Sequence, residues 1–130
     1  MSAFAARVGF VVAVILGVST VASAHPAWLT LYNTHTGEHL RVRLLRSLGR
    51  IDLLEWRRID QLLRDRHNGH ARAIHPQLIR ALIRLQHAFP GREILVISGY
   101  RSPEPGRDVH TYHAVGRACD LRLRAKLPLP

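Results

Sequence analysis

Alternation of apolar and polar residues predicts several short strands. The pattern over 28–32 and 39–45 predicts two strands, and the turn-forming residues at 33–37 between them predict a hairpin. A continuous apolar run within 93–98 is typical of a strand that is buried on both faces. Residues 118–123 form a second extended segment that can pair with this buried strand.

Apolar residues at helical spacing predict two helices. The first begins after Asp52, whose side chain can cap a helix, and is expected to end near Asn68-Gly69. The second begins at Pro76, because proline is favoured in the first helical turn, and ends before Pro90-Gly91. We therefore expect an α+β domain in which two helices pack on a small antiparallel sheet.

The N-terminal segment 1–24 has the pattern of a secretory signal. Arg7 precedes an apolar segment at 8–18, and Ala22-Ser23-Ala24 is a small-residue cleavage site. The apolar segment is shorter than the roughly 20 residues that a membrane span needs. We therefore expect a removed signal, an exported protein with no stable membrane span, and a single domain over 25–130.

The net charge bears on the possible partners of the protein, and the cysteine count bears on its possible disulfides. The formal net charge is +10 at pH 7, and the arginines are spread along the chain without an aromatic-interleaved basic patch, so we expect no nucleic-acid partner. Behind an export signal the natural polyanions are the cell wall and the membrane surface, although solubility alone also explains the charge. Cys119, the single cysteine, cannot form an intrachain disulfide, and we expect a small buried apolar residue there.

The strongest candidate for chemistry is the spacing HxxGxAxD, formed by His113, Gly116, Ala118 and Asp120. Histidine and carboxylate are common zinc ligands. The glycine permits a turn, and the alanine leaves space beside the strand that carries the aspartate. Many surface loops hold a histidine and an aspartate seven residues apart, so a surface pair is the alternative interpretation. The preceding segment SGYRSP at 98–103 favours a metal site.

Three segments resemble the exported zinc peptidases of the murein endopeptidase K type, within the wider D-alanyl-D-alanine carboxypeptidase superfamily. LYNTHTGE at 31–38 is similar to the opening hairpin of that family, and ISGYRSP at 97–103 is similar to its arginine turn. The segment 113–120 is similar to its first zinc-ligand pair. The loop between the second and third segments is shorter than is usual in the family, and Thr111 replaces a serine there.

The resemblance implies a hedgehog/DD-peptidase-like fold, peptidoglycan as partner, hydrolysis of its peptide crosslinks, and a periplasmic or wall-associated location. It also implies Zn²⁺ as cofactor, with His113 and Asp120 as metal ligands. The resemblance assigns to Arg101 the binding of a substrate carboxylate or of an oxyanion, for which a rigid, permanently charged guanidinium is suited. A strand-terminal arginine can instead simply pair with a carboxylate such as Asp120.

Members of this family supply a further zinc-ligating histidine and an acid or base downstream of the aspartate, whereas 121–130 contain no His, Asp or Glu. The sequence is therefore expected to be incomplete after the first ligand pair unless another histidine contributes. The candidates are His35, His39, His75, His87 and His110. Glu104 and Asp108 are candidates for a general base, or for solvated turn residues. Two further alternatives are a non-catalytic module that binds peptidoglycan or a wall enzyme, and a gene fragment.

Overall fold

The computed structural model describes residues 28–45, 50–106 and 110–126. Its elements, in chain order, are β1 (Trp28–Asn33), β2 (His39–Arg43), α1 (Leu53–Leu62), α2 (Pro76–Ala88), β3 (Ile94–Ser98) and β4 (Asp120–Leu123). The α+β class and the two helices are thereby confirmed. The predicted signal segment at 1–24 lies outside the described residues.

The four strands form one mixed sheet in the order β2-β1-β3-β4. The hairpin of β1 and β2 is antiparallel, as is the pair of β3 and β4, but β1 and β3 run parallel. The expected antiparallel sheet is therefore corrected to a mixed one. Both helices lie in the connection between β1 and β3, and a crossover of that length permits the two strands to pair in parallel.

The core lies between the sheet and the two helices, with α2 packed against β1 and α1 packed against β2. Strands β1 and β2 alternate buried and more exposed residues, whereas β3 is buried at four of its five positions. This confirms the expectation that the apolar run forms a strand covered on both faces. The fully buried side chains are mainly aliphatic and include Leu29, Leu31, Val42, Ile59, Leu63, Leu82, Ile94 and Val96.

Helix α1 starts as predicted but ends earlier than predicted. The Asp52 side chain accepts hydrogen bonds from two backbone N–H groups of the first turn, at 3.0 and 3.3 Å. The helix ends at Leu62 rather than near Asn68-Gly69. Beyond that point Asp65 accepts a hydrogen bond from the backbone N–H of His67 at 2.7 Å, so a local side-chain turn replaces further helix.

Tertiary contacts also stabilise this early end of α1. The carbonyl of Leu62 accepts a hydrogen bond from Nδ2 of Asn33 at 2.9 Å. The carbonyl of Leu63 accepts one from the backbone N–H of Tyr100 at 2.7 Å. Helix-terminal carbonyls need such partners, and here the partners come from the last residue of β1 and from the segment that follows β3. These contacts bring the end of α1 beside the candidate site.

Helix α2 agrees with its prediction at both ends. It begins at Pro76, and Nδ1 of the preceding His75 accepts a hydrogen bond from the backbone N–H of Gln77 at 3.2 Å. It ends at Ala88, before Pro90. In the described part of the chain, neither helix has the length and apolar character that crossing a membrane requires.

Candidate metal site

His113 and Asp120 meet at the end of the β3–β4 pair. The Nε2 atom of His113 lies 3.5 Å from Oδ1 of Asp120. Two ligands that bind one tetrahedral zinc at about 2.0–2.2 Å lie roughly 3.3 Å from each other. The observed separation therefore fits two neighbouring positions of a zinc coordination shell.

The other ring nitrogen of His113 is held by the backbone. Its Nδ1 atom lies 2.8 Å from the carbonyl oxygen of Gly99. A carbonyl oxygen only accepts hydrogen bonds, so Nδ1 carries a proton and Nε2 faces Asp120; as a metal ligand, Nε2 would present its lone pair there. Metal-ligating histidines commonly use their second nitrogen in this way. A lone pair and a carboxylate oxygen at this distance repel each other unless a cation or a proton lies between them.

Glycine allows the backbone to approach closely at two points of the site. A Cβ atom at Gly99 would collide with the backbone carbonyl of Leu63, so the chain directly after β3 can pass the end of α1 only without a side chain there. Gly116 has a φ of +69°, and a Cβ atom there would lie 3.1 Å from the carbonyl oxygen of Ala73. The expectation that Gly116 permits a turn is thus confirmed.

The pairing of β3 with β4 sets the position of Asp120. It pairs with Ser98, the last residue of β3, after a register irregularity between Val96 and Ser98. The preceding Cys119 packs against the core cluster instead. Burial raises the pKa of the Cys119 thiol to about 11, and the nearby Asp120 carboxylate contributes to the shift. The thiol therefore stays protonated near neutral pH, in agreement with the expectation that Cys119 behaves as an apolar residue.

Arg101 lies against both the sheet and the aspartate. Its Nε donates a hydrogen bond to Oγ of Ser98 at 3.1 Å, and its Nη2 lies 3.4 Å from Oδ2 of Asp120. The ion pair that the sequence offered as an alternative role is therefore present. The other N–H groups of this guanidinium donate to no residue that the structure describes, and the side chain is 46% exposed, so a ligand can reach them.

Asp65 supports the arginine turn, although sequence analysis did not identify it. It is 1% exposed, and its Oδ2 accepts hydrogen bonds from the backbone N–H and the hydroxyl of Ser102, at 2.8 and 2.9 Å. A carboxylate that receives several hydrogen bonds in a buried position fixes the groups that donate them. The segment directly after Arg101 is therefore held in place. An acid just beyond an amphipathic helix is ordinarily solvated, so its local sequence carries no signal for this role.

The described residues contribute a ligand pair and not a complete set. No three His, Cys, Asp or Glu side chains in the part of the chain that the structure describes could hold a metal ion together. The histidines considered as a third ligand therefore do not join the pair there. Those histidines are His35, His39, His75, His87 and His110. Of the candidate general bases, Glu104 accepts a hydrogen bond from Nδ2 of Asn68 at 2.7 Å, and Asp108 lies outside the described residues.

Comparison with known proteins identifies relatives of most of the chain. The family described as peptidoglycan L,D-endopeptidase MepK matches residues 21–126. Curated proteins of that name from Escherichia coli strain K12, Escherichia coli O157:H7 and Shigella flexneri are each 30% identical over 115 residues, which covers 81% of this chain. The chain spans 63% of the length of each of these relatives. No solved structure gives a significant match.

Proposed function

Because this chain belongs to the peptidoglycan L,D-endopeptidase MepK family, we propose that it is a zinc peptidase domain that acts on peptide crosslinks of peptidoglycan. The observation that carries the proposal is the 3.5 Å separation of His113 Nε2 and Asp120 Oδ1, with the imidazole oriented by the Gly99 carbonyl. The signal-like segment at 1–24 supports export, and peptidoglycan as substrate implies a periplasmic or wall-associated location.

The proposed metal ligands are Nε2 of His113 and Oδ1 of Asp120. The histidine side chain is 16% exposed and the aspartate side chain 56%, so the pair opens to solvent on the aspartate side. A zinc ion held by these two residues would supply Lewis-acid polarisation of a carbonyl group and activation of water for hydrolysis. The chain's own contribution is to hold the imidazole in the tautomer that leaves Nε2 free.

We assign to Arg101 the binding of substrate. Ser98 and Asp120 each accept one hydrogen bond from its guanidinium, and these two contacts fix the orientation of the group. Asp120 thereby faces His113 with one oxygen and Arg101 with the other. A peptide carbonyl or carboxylate that approaches the ligand pair meets the exposed N–H groups of Arg101, and donors of this kind stabilise negative charge on oxygen.

A second candidate function is a domain that binds peptidoglycan without cleaving it. The ion pair between Arg101 and Asp120 favours this candidate, because it balances the charge of the aspartate without a metal ion. In this case the basic side chains around the turn bind the peptide, and His113 has a structural role through its bond to Gly99. The two candidates differ in their requirement for zinc.

Metal content distinguishes the two candidates. The purified protein is loaded with zinc, dialysed and analysed for bound metal, beside His113→Ala and Asp120→Ala. The matched control is His87→Ala, because His87 is an exposed histidine in the last turn of α2. A zinc peptidase is expected to retain one zinc per chain, to lose it in both site variants and to keep it in the control.

Cleavage of purified peptidoglycan completes this test. The zinc-loaded protein is expected to release crosslinked peptide products, and Arg101→Gln is expected to reduce the rate by about 100-fold, the size found when one donor to a developing oxyanion is removed. Retention of zinc that is unaffected by His113→Ala and Asp120→Ala would contradict the metal assignment. Binding of peptidoglycan without zinc or cleavage would support the second candidate.

A further inference from the structure

A second group of basic side chains lies in a narrow cleft beside the ligand pair. The cleft lies between the β1–β2 turn, the loop after α1, and the end of β3 with the arginine turn. Its basic and imidazole side chains are those of His35, Arg64, Arg66, His67 and Arg101. We refer to it as the basic cleft. Because Arg101 lines this cleft and also contacts Asp120, the cleft opens next to the candidate metal site.

Arg66 is held between two imidazole rings in the basic cleft. Its Nη1 lies 2.6 Å from Nε2 of His35, and its Nε donates to Nε2 of His67 at 3.3 Å. A guanidinium has donors only, so both imidazoles accept at these nitrogens and are uncharged in this arrangement. The charge of Arg66 is therefore oriented by its neighbours without being neutralised by them.

The three arginines of the basic cleft differ in their charge compensation. Arg64 pairs with Glu38 at 2.8 Å, and Arg101 pairs with Asp120 at 3.4 Å. Within the described ranges, Arg66 forms no ion pair with a carboxylate. It is therefore the arginine of the cleft whose charge no described carboxylate balances, and its Nη2 donates to no residue that the structure describes. Guanidinium N–H donors suit a carboxylate oxygen.

Buried polar side chains fix both walls around Arg66. Asn33 is 6% exposed, and its Oδ1 accepts a hydrogen bond from the backbone N–H of His35 at 2.9 Å, while its Nδ2 donates to the end of α1. On the other wall, Asp65 accepts a hydrogen bond from the backbone N–H of His67 at 2.7 Å. The two imidazoles that contact Arg66 are thus attached to fixed backbone. A preorganised group loses less entropy when it binds a ligand.

We propose that the basic cleft is a subsite for a carboxylate group of the peptide ligand, with Arg66 as the residue that binds it. The proposal rests on the proposed function, because peptidoglycan stem peptides carry free carboxylates. Residues 98–101 line the basic cleft together with Arg66, and Arg101 also contacts Asp120, so one peptide can contact both Arg66 and the ligand pair. Arg66 is then a specificity residue that selects peptides with a carboxylate at a fixed distance from the reacting bond.

Calorimetric titration of the full chain with two probes tests the subsite. One probe is a peptidoglycan stem peptide with free carboxylates, and the other is the same peptide with those carboxylates converted to amides. A chelator keeps the protein free of metal, so that affinity is measured independently of cleavage. The wild type is compared with Arg66→Gln and with Arg80→Gln, a matched control because Arg80 is exposed on α2 and does not line the cleft.

We expect the wild type and Arg80→Gln to bind the acid form about tenfold more strongly than the amide form, the size expected from one charge-assisted hydrogen-bonded pair. We expect Arg66→Gln to lose most of this preference, while Arg101 remains in the cleft. Arg66→Lys keeps the charge but loses the planar guanidinium that the two imidazoles orient, and it is expected to retain part of the preference. Unchanged thermal melting of each variant verifies that the fold is intact.

A wild-type protein that binds neither probe, or binds both equally, would overturn the proposal. An equal loss of preference in Arg66→Gln and Arg80→Gln would also overturn it, since net charge would then explain the effect. Failure of the subsite is distinguishable from failure of the proposed function. If the protein cleaves peptidoglycan with zinc but does not prefer the acid probe, the subsite is refuted and the proposed function stands. Acid preference that depends on Arg66, in a protein that binds no zinc, refutes the zinc peptidase alone.

Discussion

The Nδ1 atom of His113 and the carbonyl oxygen of Gly99 lie 2.8 Å apart, and this contact determines which imidazole nitrogen is free. Because the carbonyl can only accept, Nδ1 is protonated and Nε2 faces Oδ1 of Asp120. The carbonyl itself is fixed by the close passage of Gly99 against Leu63. The orientation of the candidate metal ligand is thus coupled to the close approach of the residue after β3 to the end of α1.

The tautomer of His113 can be measured directly. In ¹⁵N-histidine-labelled, metal-free protein above pH 7.5, we expect the His113 ring to show a protonated Nδ1 and an unprotonated Nε2. The reason is the hydrogen bond to the Gly99 carbonyl. Two-bond ¹⁵N–¹H correlation spectra distinguish the two tautomers, and the signals that vanish in His113→Gln assign the residue. A protonated Nε2 would contradict the orientation described here.

Substitution of Gly99 tests the same coupling from the backbone side. The added Cβ of Gly99→Ala would collide with the Leu63 carbonyl, so the strand must move away from α1. We expect a loss of about 3 kcal/mol in the free energy of unfolding, at the upper end of the usual range for overpacking, together with weaker zinc binding. Urea denaturation and metal analysis give the two measurements.

The control for this substitution is Gly91→Ala. Gly91 has a φ of +74°, and nothing lies within 4 Å of a Cβ placed there. The control is expected to lose about 1 kcal/mol from backbone strain and to leave zinc binding unchanged. If Gly99→Ala and Gly91→Ala lost the same free energy of unfolding, close packing at Gly99 would not explain the loss.

Local signals in the sequence predicted the elements of the fold better than their arrangement. The starts of both helices and the buried β3 depend on residues within a few positions of each other, and these expectations agree with the structure. The parallel pairing of β1 with β3 depends on how a connection with two helices folds back. The end of α1 at Leu62 depends on Asn33 and Tyr100, which are distant in sequence. Apolar periodicity contains no information on such contacts.

The same distinction applies to the candidate site. The motif spacing and the family resemblance singled out Arg101, His113 and Asp120, and the structure brings these three residues together. The groups that orient them were not predictable. The Gly99 carbonyl is a backbone atom that every sequence possesses, and Asp65 supports Ser102 from 37 positions away. Such supporting groups become visible only when the chain is folded.

Asp65 is expected to be important for both stability and the arginine turn. Asp65→Asn replaces one carboxylate oxygen with an N–H₂ group, which then faces the donors of Ser102 or of His67. We expect a loss of about 2–3 kcal/mol in the free energy of unfolding, because a buried group is left without its partner. Ser102→Ala removes only the hydroxyl and is expected to lose about 1 kcal/mol. Urea denaturation measures both, and a smaller loss for Asp65→Asn than for Ser102→Ala would contradict this role.

Glu93 makes the stability of the sheet depend on pH. Its carboxylate accepts hydrogen bonds from Nδ1 of His39 at 2.6 Å and from Nε of Arg124 at 2.7 Å. Burial alone would raise the pKa of this carboxyl group, but the hydrogen bonds and charges of His39 and Arg124 outweigh burial and hold the pKa below its usual 4.5. A depressed pKa in the folded state contributes stability above the unfolded pKa, and that stability is lost as the pH falls through the folded pKa.

We therefore expect the free energy of unfolding to decrease as the pH falls from about 5 to about 3, and Glu93→Gln to reduce this decrease. At pH 7 the substitution is expected to lose about 1 kcal/mol, since both partners are largely exposed and solvent screens them. Urea denaturation across this pH range gives the measurement, with Glu55→Gln as a control that makes the same charge change in α1. An identical pH dependence for Glu93→Gln and the wild type would show that the contacts of Glu93 with His39 and Arg124 do not stabilise the sheet.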